Sequence, residues 1–152
     1  MRFYDVKILA KCDLIGYNIR MNLFVSHSEE ETIKWAREYA KTLRAGDVVL
    51  LEGEMGAGKT VLSKGIALGL GITSEVTSPT YAYINSYQNK LFHFDCYRVE
   101  SEAFAEGLGF SEYFDMGGIC LVEWSENIKG LLPRNVKRVV ISGNGNSREI
   151  KY

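Results

Sequence analysis

The segment that most constrains this chain is GEMGAGKT, residues 53–60, which follows the apolar run VVLL and precedes a stretch with helical periodicity. Three glycines in six residues let the backbone curl, so that successive N–H groups converge on one point that a Cβ would block. A helix starting there adds its own unpaired N–H groups and the positive end of its dipole. A nucleotide's β-phosphate suits such a point. The pattern G-x-x-x-x-G-K-[ST] then supplies a point charge, Lys59, for the β- and γ-phosphates and a hydroxyl, Thr60, for Mg2+. A chance match in a chain this long is on the order of one in two hundred. The flanking strand and helix patterns make it more specific still.

The remaining elements read around that turn. Ser28 and Glu31 form a capping box, and Trp35, Ala36, Tyr39, Ala40 and Leu43 recur at helical spacing, which predicts a helix over 28–45 stopped by Gly46. Residues 47–52 read as a buried strand of a parallel sheet and 59–70 as a helix ended by Gly71. Residues 81–87 and 91–97 flank the turn QNK and read as a hairpin. One or two short helices over 101–115, broken by Gly107 and Gly109, precede a buried strand at 118–124. A C-terminal hairpin turns at GNGN. The expected fold class is α/β and P-loop NTPase-like: a mixed, mostly parallel sheet flanked by helices, with antiparallel hairpins. Residues 21–152 read as one domain. Residues 1–20 are an extension, either a lead ahead of a start at Met21 or an extra edge strand around RFYDVKIL.

Composition excludes some functions. A net charge of -1 with no long run of one sign offers no broad footprint for nucleic acid or an anionic membrane. No apolar run is long enough to span a bilayer, and the first twenty residues lack the apolar core of a secretory signal. Cys12, Cys96 and Cys120 are widely spaced without a C-x-x-C, so zinc is not expected, and the sparse count fits a reducing cytoplasm.

A phosphate cradle alone only binds; hydrolysis needs a carboxylate near the metal and a group that orients water. Asp95 and Glu123 end predicted strands, where ligands collect in open α/β sheets. Glu123 is the expected second metal ligand, directly or through water. Asp95 is a metal contact or the water-orienting base. Thr80, in the hydroxyl-rich segment TSPTY, is a candidate γ-phosphate sensor. His93, between Phe92 and Phe94, reads as a satisfied, partly buried residue rather than a base. Arg98 is the sole arginine between Thr60 and Pro133 and either pairs with Asp95 or faces a partner. The aromatics from Tyr81 to Phe114 read mostly as core.

GEMGAGKT, TSPTYAYINSY, FHFDCYR, GLGFSEYF and LVEWSE, in that order, resemble the TsaE (YjeE) family over residues 21–152. The resemblance implies a small ATPase using ATP and Mg2+ that supports TsaB and TsaD in threonylcarbamoyladenosine modification of tRNA beside the anticodon. Those partners, not this chain, carry the transferase, and tRNA is met only indirectly. Gly53, Glu54, Met55, Gly56, Ala57, Gly58, Lys59, Thr60 and Val61 then hold the nucleotide. Lys59, Thr80, Asp95 and Glu123 are the catalytic set, and Thr60, Glu123 and Asp95 the metal set. Trp124 lies near the site, while Ser28, Thr32 and Arg148 align with segments near base and ribose. Two positions depart from the family's pattern: Val61 replaces a usual hydroxyl and Ser125 a usual proline.

Three rival readings are weaker. A small-molecule kinase needs several arginines, and across the middle of this chain, between Thr60 and Pro133, there is only Arg98. A GTPase needs N-K-x-D, and Asn89-Lys90 is followed by Leu91 and Phe92. A nucleotide-sensing adaptor has little use for both Asp95 and Glu123.

Overall fold

A computed structural model of the chain describes residues 7–9 and 21–152. In chain order the elements are β1 (Lys7–Leu9), β2 (Met21–Ser26), α1 (Glu29–Ala40), β3 (Val48–Glu52), α2 (Lys59–Gly69), β4 (Ile84–Tyr87), β5 (Leu91–Asp95), α3 (Glu102–Gly107), α4 (Phe110–Phe114), β6 (Ile119–Glu123), a 3-10 segment at Ser125–Leu131, β7 (Lys137–Asn144) and β8 (Ser147–Lys151). The strands form one sheet in the order β1-β2-β8-β7-β3-β6-β5-β4. Its centre, β7-β3-β6-β5, is parallel, and the outer strands join antiparallel. The expected mixed sheet is therefore present, with its parallel part where both faces are covered.

Burial on both faces explains the unbroken apolar runs in β3 and β6. Val49, Leu51, Ile119 and Leu121 pack with α1 and α2. Val48, Leu50, Cys120 and Val122 face the other way, into a core with Phe92, Phe94 and Phe110. On the first face α2 lies tightly on α1, with Gly65 and Gly69 against Ala36 and Ala40. Trp35 stacks on Tyr39 and meets Tyr152 edge-on, closing the outer end of this layer.

The N-cap half of the expected capping box forms at Ser28, while Glu31 reaches back one residue further, to His27 instead of the Ser28 N–H. Ser28 Oγ accepts from the Glu31 N–H at 3.1 Å, and Glu31 Oε2 accepts from the His27 N–H at 2.8 Å. The helix is shorter than 28–45. The Thr42 and Leu43 N–H groups bond three residues back, to Tyr39 and Ala40, so the α-helix ends in tightened turns. Gly46 is thus not its stop; it lies in the turn entering β3. The first hairpin strand also starts late, at Ile84, because Tyr81–Tyr83 form a turn with Tyr83 at φ 64°. β5 stops at Asp95 instead of residue 97. The sequence pattern predicts neither β2 nor the 3-10 segment. Lys7–Leu9 pairs with Met21–Leu23 as an edge strand, and the other residues of 1–20 lie outside those described.

Candidate functional site

Residues 53–58 link β3 to α2 at the carboxyl end of the parallel strands. Gly58 is the N-cap of α2, at φ 115°, and makes no side-chain cap bond. A Cβ on Gly53 would lie 2.5 Å from the Ile141 carbonyl oxygen, so the loop can lie this low over β7 only with glycine there. Among the described residues, the N–H groups of Gly56, Gly58, Lys59 and Thr60 meet no backbone carbonyl. These free donors lie at the start of α2, where the sequence pattern expects a phosphate cradle. Lys59 is 6% exposed, and its Nζ donates to the Gly53 and Glu54 carbonyls at 2.5 and 3.0 Å.

Across from the loop, β5 and β6 end side by side with Asp95 opposite Glu123. Asp95 is nearly buried. Its Oδ2 accepts from Thr80 Oγ1 at 3.0 Å and Ser78 Oγ at 3.4 Å, while Oδ1 accepts from the Tyr97 N–H at 3.0 Å. The chain turns sharply just after Glu123 because Trp124 holds the left-handed conformation, φ 56° and ψ 43°. Such backbone costs about 1–2 kcal/mol for a side chain of this size. The turn lays the Trp124 ring 4.9 Å from Lys59 Nζ and against Tyr97.

The result is a cleft of about 460 Å3 that brings together Met55, Gly56, Gly58, Lys59, Thr60, Thr80, Asp95, Glu123 and Trp124. Ser78, Tyr97 and Arg98 complete its wall. Arg98 stacks on Tyr81 at 4.5 Å rather than pairing with Asp95. Tyr81 is 81% exposed and Tyr97 48%, so these two aromatics belong to the rim and not to the core. On the far side of Gly56 and Gly58 a second hollow, about 440 Å3, gathers Ser28, Thr32, Val61 and Arg148 with His27, Ile141 and Asn146. Thr32 is buried and its hydroxyl bonds to Ser26 and Ser28. Arg148 Nε donates to the Ala57 carbonyl at 2.9 Å, tying the C-terminal hairpin to the loop. Gly53, Glu54 and Ala57 line neither hollow; their carbonyls accept from Lys59 and Arg148.

His93 differs from the sequence reading. It is fully buried, its Nε2 lies 2.8 Å from Glu123 Oε1, and its Nδ1 has no partner among the described residues. Nothing in the sequence joins positions 93 and 123; only the β5–β6 pairing does. Among the described residues no group of three or more His, Cys, Asp or Glu side chains is placed to hold a metal. The set Thr60, Asp95 and Glu123 suits Mg2+, which takes one or two carboxylates and fills its shell with water and phosphate oxygens. Among the same residues no helix is long and apolar enough to cross a membrane.

The family model for threonylcarbamoyl adenosine biosynthesis protein TsaE matches residues 26–150. The chain belongs to the TsaE family. Its similarity to the Bacillus subtilis TsaE protein is 46% identity over 81% of this chain and 79% of the relative. With the Treponema pallidum TsaE protein it is 38% over 79% and 93%. The crystal structure of Bacillus subtilis YdiB superposes with a TM-score of 0.75 and 36% identity, covering 90% of this chain and 86% of that one. The P-loop NTPase-like fold expected for a TsaE protein is the fold observed here.

Proposed function

We propose that the chain binds ATP with Mg2+ and hydrolyses it slowly alone and faster with TsaB and TsaD. In this reading it supports threonylcarbamoyladenosine modification of tRNA in the cytoplasm without being the transferase. The observation that carries it is the convergence of Lys59, Thr60, Asp95 and Glu123 on one cleft at the strand ends.

The chemistry follows from what each group can do. The loop N–H groups take phosphate oxygens, and Lys59 exchanges its two carbonyl partners for them. Thr60, Glu123 and Asp95 would hold the magnesium. Bound magnesium neutralises charge on the phosphates. Asp95 already accepts two hydroxyl protons at Oδ2, and a water taking the place of Thr80 there would be oriented for attack. Thr80, released from Asp95, is then free to meet the γ-phosphate. Stabilising the developing charge also requires cations. Besides Lys59, Arg98 is the one cation lining the cleft among the described residues, stacked on Tyr81 at the rim. One rim arginine fits slow hydrolysis that a partner accelerates, and it argues against a kinase. Guanine reading is disfavoured too, since Asn89 and Lys90 lie in the β4–β5 turn, at the opposite end of β5 from Asp95.

The test is steady-state ATP turnover by wild type and Glu123→Ala, each with and without TsaB and TsaD, alongside ATP and GTP titrations. Slow turnover alone, stimulation by the partners, loss of most activity in the variant and tighter ATP than GTP binding are expected. Wild type as fast alone as in the mixture refutes partner control. A variant equal to wild type makes Glu123 a plain strand end and favours an adaptor.

A further inference from the structure

We infer that His93 is a positioning residue for the hydrolysis proposed above, fixing the Glu123 carboxylate from inside the core. The inference rests on that reading of the cleft. Leu91, His93 and Asp95 alternate on one face of β5, and their partners in register on β6 are Ile119, Leu121 and Glu123. The ring therefore sits one step below Glu123 and reaches forward to Oε1 at 2.8 Å. A carboxylate oxygen can only accept from it, which puts the bonding proton on Nε2. Oε2 is left as the oxygen available to the cleft.

Packing does not account for this residue. Leu91 and Leu121 show what the same face uses where only filling is needed. A fully buried imidazole is costly to desolvate, and among the described residues Nδ1 has no partner and the ring's single polar contact runs to Glu123. The two acids are thus held differently. Asp95 is bonded by hydroxyls of the 78–80 segment, which can be exchanged for water or phosphate. Glu123 is bonded by a ring that has nowhere to go. One acid is built to change partners, and the other to keep its orientation while that happens.

Partners behind a liganding group typically contribute 10–100-fold in activity or metal affinity. The experiment compares wild type, His93→Leu and His93→Gln, the last offering an amide N–H near the position of Nε2. Thermal melts confirm that the folded proteins are compared. In the leucine variant kcat should fall about 10–100-fold and the Mg2+ requirement should rise, with Kd for ATP within about threefold of wild type. Glutamine should restore most of the loss. In ligand-free wild type, NMR of 15N-labelled histidine should find a slowly exchanging proton on Nε2 of His93. A leucine variant as active as wild type, equal losses in both variants, or a ring proton on Nδ1 with bare Nε2 overturns the inference. If wild type turns over no ATP under any condition, the proposed function fails separately, and the ring-proton measurement still decides whether His93 holds Glu123.

Discussion

Replacing Gly65 by alanine sets two effects against each other. Alanine is favoured over glycine inside a helix by about 1 kcal/mol. At this position, however, the new Cβ would lie 2.5 Å from Ala36 Cβ, 2.8 Å from the Ile33 carbonyl oxygen and 3.2 Å from Ile33 Cα. None of these atoms can rotate away. Relief requires α1 to withdraw as a body, loosening Trp35, Ala36 and Ala40 from Leu62 and Ile66. Overpacking of this kind costs about 1–3 kcal/mol, and the rigid contacts put it at the upper end. The net expectation is a loss of about 1–2 kcal/mol, or roughly 3–6 °C in Tm for a chain of this size. Gly107→Ala is the control, because a Cβ there meets nothing within 4 Å, and it should be neutral or slightly stabilising. Urea unfolding followed by circular dichroism should show a lower midpoint for Gly65→Ala at unchanged slope. A midpoint equal to or above wild type would refute the close helix contact, since propensity alone would then decide.

Two further outcomes are expected. Lys59→Ala should weaken ATP binding by about 1.5–3 kcal/mol, roughly 10–150-fold, because it removes a charge-assisted contact to phosphate; titration with labelled ATP checks this. Burial pushes the Cys96 and Cys120 thiols up to about 12 from 9.0, with Asp95, Glu126 and Glu123 adding to the effect at Cys96. The unfolded chain therefore loses these protons first as pH rises above 9, so their contribution to stability declines between pH 9 and about 12. In a Cys12→Ser background, iodoacetamide at pH 8 should label neither thiol until denaturant is added; rapid labelling of the native protein would contradict their burial.

What could be read in advance was whatever is carried by local pattern. The P-loop, the capping box at Ser28 and Glu31, and the doubly buried strands each state themselves within a few residues. Asp95 and Glu123 were identifiable because each closes an apolar run. β2 escaped because MNLFVS has a burial pattern with two exposed or half-exposed residues between buried ones, so neither period is clean. The roles of His93 and Ile141 could not be read at all. One depends on β5 lying beside β6, the other on β7 passing beneath the loop, and neither pairing has a local signal. Tyr81 and Tyr97 resemble core residues in composition, and only the tertiary arrangement puts them at the rim.

The position of β3 has a consequence for how the protein is made. This strand leads into the glycine-rich loop, yet its two neighbours, β6 and β7, lie roughly seventy and ninety residues downstream. During synthesis VVLLE leaves the ribosome as an apolar, β-branched stretch with both edges unpaired, and remains so for several seconds at ordinary elongation rates. The close seat of Gly53 on the Ile141 carbonyl forms only once β7 has arrived. Until those neighbours arrive, the nascent strand is an apolar segment open to aggregation and to chaperones.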